Sequence, residues 1–132
     1  MSIVHIVAVL AILQFILFSV LVGKARETHG VKAPAVTGNE QFERVYRVQM
    51  NTLEQLVCFL PALFMASYYW SPSLVSLIGC VYLIGRFLYS NAYVADPAKR
   101  GLGFILTFLP TVILLLSTLV GALMAAFGDS AP

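Results

Sequence analysis

"GNEQFERVYRVQMNTLEQL", residues 38–56, gathers Arg44, Arg47, Gln49, Asn51, Glu54 and Gln55 and then runs directly into the apolar stretch VCFLPALFMASYY, residues 57–69. Arg47, Asn51 and Glu54 are spaced by four and then three residues, so an α-helix places them on one face. That helix spans about residues 39–69, too long for one bilayer crossing, which uses about 20 apolar residues. Its polar first turns are therefore expected in or above the headgroups, with the apolar remainder in lipid. A charge carried into the bilayer costs about 2.5–3.5 kcal/mol on insertion scales, so the stripe must meet a partner, a neighbouring subunit or a wet cavity.

The rest of the chain fits a membrane setting. Its 132 residues are 60% hydrophobic and 11% charged, whereas a soluble domain is about 25% charged. The length allows one domain, residues 1–132, and four helices with short loops consume nearly all of it. The first 23 residues hold no charged side chain and no basic n-region, and read as a first transmembrane helix, about 2–23, rather than a signal peptide. The run KARETHGVKAPAVTG reads as a loop. Thr37 followed by Glu40 forms a capping box that starts the second helix near Asn39. YYWSP closes that helix with interfacial aromatics. A third helix follows over about 73–93 and ADPAKRG breaks it; a fourth runs over about 102–127 with Pro110 as a kink, before a GDSAP tail. The fold class expected is an all-α integral membrane protein, a four-transmembrane-helix bundle.

Charge gives the orientation and removes several functions. Lys24, Arg26, Lys32, Arg44 and Arg47 surround the first connection, Lys99 and Arg100 lie in the third, and the second has no basic residue. The positive-inside rule then predicts cytosolic first and third connections, with both termini on the opposite side. A net charge of +2 without a basic run gives no footprint for nucleic acid. His5 and His29 have no second ligand at helical spacing, so no metal site is expected; no nucleophile elbow, P-loop or dinucleotide fingerprint is present either. Cys58 and Cys80 fall in apolar stretches and are expected to be inert, buried small hydrophobes.

A second polar stripe lies on the third helix. Arg86, Tyr89 and Tyr93 follow three-and-four spacing, and Tyr82 extends the row one turn back. In one reading Glu54 and Arg86 pair and simply fasten the bundle. In the other, the two stripes line a polar cleft open at the cytosolic interface. Such a cleft offers cations from Arg47 and Arg100, an acceptor in Glu54, and amide and phenol groups between them. Its complement is a small zwitterion with carboxylates and an amine. Arg100 also has two readings, a lipid-phosphate anchor shared with Lys99 or a cation poised over an anion formed in the cleft.

These residues resemble a known family. The run FERVYRVQMN with a glutamate three residues later, Phe42 to Glu54, resembles the signature of the MAPEG superfamily, membrane-associated proteins in eicosanoid and glutathione metabolism. VGKAR and PAVTG upstream support it, as do GRFLY downstream with a second tyrosine four residues on, and Arg100 seven residues past Tyr93. The likeness covers about residues 22–104 and is nearest to type-two microsomal glutathione transferases and leukotriene C synthase. It departs from that branch at Gln55, where an aromatic is usual, at Thr52, where a cysteine is usual, and at Glu27, a basic position in leukotriene C synthase.

The resemblance implies a homotrimer with glutathione as co-substrate in each cleft between neighbouring subunits. It implies that Arg47 and Asn51 hold the tripeptide's carboxylate and backbone groups, and that Glu54 takes its amino group. Tyr89 and Tyr93 would line the pocket, Arg26 and Gln49 would reach in from the adjacent subunit, and Arg100 would stand at the thiol as the catalytic cation. The expected activity is a membrane-bound glutathione transferase acting on lipophilic electrophiles, with hydroperoxides as a further acceptor class. One alternative is a non-enzymatic lipid-binding relative resembling the lipoxygenase-activating protein. That reading expects the glutathione stripe and loop arginine to have decayed. The other is a small four-helix multidrug transporter, which needs an acidic residue in its first helix; residues 2–22 contain none.

Overall fold

The computed structural model describes residues 1–128, and all of its regular structure is helical. The chain runs through α1 (Ser2–His29), α2 (Glu40–Tyr69), α3 (Pro72–Ala95), a single 3-10 turn (Pro97–Lys99) and α4 (Gly101–Phe127). Three of these helices, α1, α3 and α4, are long and apolar enough to cross a membrane. The expectation of four such spans is met by helix count only. At 30 residues α2 extends about 45 Å, but Glu40, Glu43, Arg44, Arg47 and Glu54 occupy its first half. The GDSAP tail lies, after Gly128, outside the described residues.

The end of α1 differs from expectation, and the start of α2 agrees with it in place but not in the residue that caps it. The first helix does not stop at Gly23 but continues to His29, because Lys24, Ala25, Arg26 and Glu27 are good helix formers. Gly30 ends it at φ 69°, a left-handed conformation that suits glycine, and the Val31 N–H bonds back to the Arg26 carbonyl. The second helix starts where the capping box put it, but the cap is Asn39: its Oδ1 accepts from the Phe42 N–H at 3.0 Å. Both α2 and α4 run on as single helices through their internal prolines, Pro61 and Pro110.

The core is built mostly from small and aliphatic residues. Val4, Val7, Ala8 and Ala11 of α1 pack on Phe59, Ala62, Leu63 and Ala66 of α2, with Val75 and Tyr82 of α3 and Leu114 of α4. The buried face of α4 is Gly103, Thr107, Pro110, Thr111, Leu114, Thr118 and Gly121. Its threonines return their hydroxyls to carbonyls four residues back, which keeps them satisfied without water. Small residues let helices approach closely where lipid supplies no hydrophobic drive between them. Bulky aliphatic side chains such as Val57, Leu77, Leu116 and Met124 point outward instead. Cys58 and Cys80 share that outer surface and are exposed, which corrects the expectation of burial: in a membrane bundle an apolar stretch is satisfied by lipid as well as by core.

Two glycines fix the α3–α4 seam. A Cβ at Gly103 would overlap the backbone of Tyr89, and one at Gly85 would lie 2.7 Å from the Leu106 carbonyl carbon. Backbone cannot rotate out of the way as a side chain can. Gly103→Ala is therefore expected to destabilise the fold by about 1–3 kcal/mol through overpacking. Gly101, with open space around it, is the control. Thermal unfolding in detergent reads the difference, and equal midpoints for Gly103→Ala and Gly101→Ala would refute this packing argument.

The helix ends sort into two groups. Arg44 near the start of α2 donates Nη1 to the carbonyls of Val94 and Ala95 at the end of α3, at 3.1 and 3.2 Å. The first and third connections therefore meet at one end of the bundle. At the other, Trp70 donates its indole N–H to the Ser117 carbonyl at 2.7 Å.

Candidate functional site

On α2 the polar face forms as the spacing requires. Arg47 and Glu54, two turns apart, pair at 3.1 Å with side chains 50% and 53% exposed. Asn51 lies between them, buried, and its Oδ1 has no partner among the described residues. The pair thus stands on the outside of the helix bundle, where an exposed salt bridge contributes at most about 1 kcal/mol and is readily exchanged. A ligand with opposite charges at its two ends meets a cation and an anion already presented.

Arg86 resolves the choice about Glu54. It is 0% exposed and, among the described residues, has no carboxylate partner; Glu54 pairs with Arg47. The guanidinium instead donates Nη2 to Thr52 Oγ1 at 3.0 Å and Nη1 to Thr107 Oγ1 at 3.5 Å. Both hydroxyl hydrogens are already committed, to the carbonyls of Val48 and Gly103, so each oxygen turns a lone pair toward the cation. The Tyr89 ring lies 4.3 Å from the guanidinium carbon, a cation–π contact that strengthens when desolvated. Arg86 therefore ties α2, α3 and α4 together through hydroxyl and aromatic contacts. Thr52, noted in the sequence only as a departure, carries that role.

Arg86 leads to the pocket through aromatic contact. Tyr89 is buried and stacks on Tyr93 with centroids 5.5 Å apart. Tyr93 in turn lines a cavity of about 350 Å³ with Arg47, Arg44, Glu40, Glu43, Tyr46, Val36 and Pro97. Asp96 caps the turn after α3 by accepting from the Ala98 N–H at 3.1 Å. Arg100 follows as the residue that opens α4, exposed, with Nη1 donated to the Pro97 carbonyl at 2.8 Å. A guanidinium has five N–H donors, so this bond leaves most of them free for solvent or ligand.

The structure puts Arg47 and Tyr93 in one cavity, with Tyr89 stacked on Tyr93. Glu54 joins through its pair with Arg47, deeper along α2 with Asn51 between them. Arg100 stands on the turn after Pro97 without lining that cavity. Arg26 and Gln49 are not among them. Arg26 donates to the carbonyls of Ala35 and Val31 at 2.6 and 3.4 Å and lies over the Phe42 ring, which fastens the first connection to α2. Gln49 turns toward α1 and donates Nε2 to Ser19 Oγ at 2.9 Å. Arg44 is the residue that spacing did not single out. Besides closing the end of α3 it pairs with Glu40 at 2.7 Å, and so sets the position of the turn that carries Arg100. The clue lay in a cation near a helix start that finds another helix's last carbonyls. Among the described residues no group of three His, Cys, Asp or Glu gathers as metal ligands.

Comparison with known proteins places this arrangement. The MAPEG family profile matches residues 4–120, nearly the whole chain. The chain belongs to the MAPEG family. Among its relatives is human microsomal glutathione S-transferase 2, 42% identical over 117 residues that cover 89% of this chain and 78% of the relative. The leukotriene C4 synthase of Cavia porcellus is 38% identical over 94 residues, 71% of this chain and 63% of that protein. An uncharacterized protein of Synechocystis sp. is 44% identical over 117 residues, 89% and 85% of the two chains. As a MAPEG member with three long apolar helices, the chain is an integral membrane protein.

Proposed function

We propose that this MAPEG protein is a membrane-bound glutathione transferase, binding glutathione on the Arg47–Asn51–Glu54 face and activating its thiol with Arg100. The observation that carries the reading is the half-exposed Arg47–Glu54 pair, a built zwitterion receptor that its own core does not use. Arg47 and Asn51 take the tripeptide's carboxylate and backbone groups, and Glu54 exchanges Arg47 for the ligand's amino group. Tyr93 walls the cavity and Tyr89 supports it. The relatives named as glutathione S-transferase and leukotriene synthase support the same class of reaction.

The chemistry is charge stabilisation. A free thiol has a pKa near 8.5, so only a few per cent is thiolate at neutral pH. A guanidinium at hydrogen-bond distance favours the anion, most of all where water is scarce. The thiolate sulfur attacks an electrophilic carbon, a C–S bond forms, and the leaving group departs with its electron pair. With a lipid hydroperoxide the same sulfur attacks the terminal peroxide oxygen: the S–O bond forms, the O–O bond breaks, and the lipid alcoholate leaves and takes up a proton. A second glutathione then reduces the resulting sulfenic acid to the disulfide with release of water. The second substrate reaches the site laterally from the bilayer, which accounts for a glutathione enzyme built into a membrane. Titration calorimetry of glutathione against the purified protein tests the reading, and absence of binding would end it.

The same proposal makes the protein a homotrimer. Asn51 Oδ1 is buried without a partner among the described residues, and Arg26 and Gln49 lie away from the stripe of their own subunit. A neighbouring subunit offers both a missing partner and a second wall, with its own Arg26 and Gln49 turned to the ligand. Native mass measurement of the detergent-solubilised complex is expected to give three chains. A strict monomer, or a dimer with no higher species, contradicts it. The cytosolic side is assigned to the first and third connections by their basic residues, and a protease site inserted at Lys32 and cut only from the cytosol checks this.

A further inference from the structure

Residues 95–100, which carry the proposed catalytic Arg100, are weakly held by packing. All of them are exposed except partly buried Pro97. Cavities flank the segment. A groove of about 490 Å³ among α1, α2 and α3 is lined by Val94 and Ala95 on one side, and the cavity of Arg47 and Tyr93 is lined by Pro97 on the other. The turn's own bonds are local: the Ala98 and Lys99 N–H groups donate to Asp96, and Arg100 donates to the Pro97 carbonyl. Segments with so few buried contacts open at low free-energy cost.

One side chain ties this segment down. Among the described residues, the only hydrogen bonds that reach residues 94–100 from outside α3, the turn and α4 come from Arg44. Its Nη1 spans the carbonyls of Val94 and Ala95, which at the end of α3 have no helical N–H to accept from. A cation there also suits the negative end of the α3 dipole. Nη2 is held by Glu40, one turn earlier on α2, at 2.7 Å. The Glu40 side chain is 79% exposed, so the pair adds little stability, but it sets the direction in which the guanidinium faces.

Donor count decides whether Arg44 binds the ligand itself. Of its five N–H groups, the two on Nη1 serve α3, one on Nη2 serves Glu40, and Nε–H is buried. A single N–H remains. Arg47 in the same cavity is half exposed and holds only the exchangeable Glu54. The two arginines, three residues apart on one helix, therefore divide into a ligand-facing cation and a helix-facing one.

We propose that Arg44 is a positioning residue: its fork clamps the end of α3 to α2 and thereby holds Arg100 at the glutathione thiol. The catalytic half of this rests on the glutathione reading; the clamp does not. Without the clamp the turn moves, and a displacement of about 1 Å at a reacting group can cost 10²-fold in rate.

The experiment compares the full-length parent with Arg44→Met in detergent. Without ligand, amide hydrogen exchange over residues 94–100 is expected to quicken about tenfold, with the Phe59–Ala66 core unchanged. With glutathione, affinity by calorimetry should stay within a few fold, since Arg47, Asn51 and Glu54 keep their helix and Tyr93 its stack on Tyr89. The turnover of a model aryl halide should fall about tenfold or more, and the thiolate absorbance midpoint should move to higher pH. In an Arg100→Ala background Arg44→Met should add little, because both changes act through one cation. If Arg44→Met does not fold, Arg44→Lys, which keeps the charge without the fork, carries the same test with a smaller effect. Unchanged exchange over residues 94–100 overturns the clamp whether or not glutathione binds. A parental midpoint and turnover, a loss of affinity at unchanged turnover, or an effect that adds in full to Arg100→Ala overturns the positioning role. Failure of the parent to bind glutathione is a separate outcome: it removes the functional reading, and the catalytic role of Arg44 with it.

Discussion

Arg100→Ala is expected to bind glutathione within a few fold of the parent and to lose about 10²–10³ in conjugation rate, the usual effect of removing one donor aimed at a developing anion. Binding survives because Arg47, Asn51 and Glu54, proposed above to hold the tripeptide, sit on a different helix. The rate falls because the thiol returns toward its free pKa near 8.5. A cation lowers that value, so removing it moves the thiolate absorbance midpoint to higher pH with glutathione bound. Arg100 is suited to this by its place. The Pro97–Lys99 turn separates it from α3, and among the described residues only its Nη1 is engaged, on the Pro97 carbonyl. Lys99, one residue earlier, is the competing cation and the control. Lys99→Ala should titrate like the parent; if it shifts and Arg100→Ala does not, the catalytic cation is the lysine.

Much of this was legible because the informative residues break a simple background. In a chain that is 60% hydrophobic, polar residues at three-and-four spacing declare a helix face, and Arg47, Asn51 and Glu54 form that face in the structure. The helix ends were less legible. Gly23 looked like a stop and is interior to α1, whereas Gly30 stops it, because a glycine's effect depends on whether the chain around it still favours helix. Arg86 illustrates a different gap. Its spacing from Tyr89 and Tyr93 placed it on the inner stripe, yet its partners, Thr52 and Thr107, come from other helices. A threonine hydroxyl carries no periodic signal that marks it as the acceptor for a buried cation. Arg44 was hidden similarly: its acceptors are backbone carbonyls, which every residue has. The faces of helices are written in periodicity; the contacts between them depend on which faces meet.

Glu54→Gln is expected to weaken glutathione binding at least tenfold while leaving the fold intact. The fold survives because Glu54 is half exposed and is not the counter-ion of buried Arg86, whose threonine and tyrosine contacts stay in place. Loss of one partner in a hydrogen-bonded charge pair typically costs about 2–5 kcal/mol of binding, and about 1.4 kcal/mol already gives a tenfold change. Glutamine keeps the shape and one carbonyl acceptor but gives up the charge that attracts an ammonium. A second route to weakening exists, since Glu54 also holds Arg47 and its loss frees that side chain to move. A glutathione analogue lacking the amino group separates the two. If Glu54 binds the ammonium, the analogue binds the parent and Glu54→Gln with similar, weak affinity, and the penalties of variant and analogue do not add. If Glu54 only positions Arg47, the analogue loses affinity in Glu54→Gln by the same factor as glutathione does. Unchanged glutathione affinity in the variant would remove Glu54 from the site altogether.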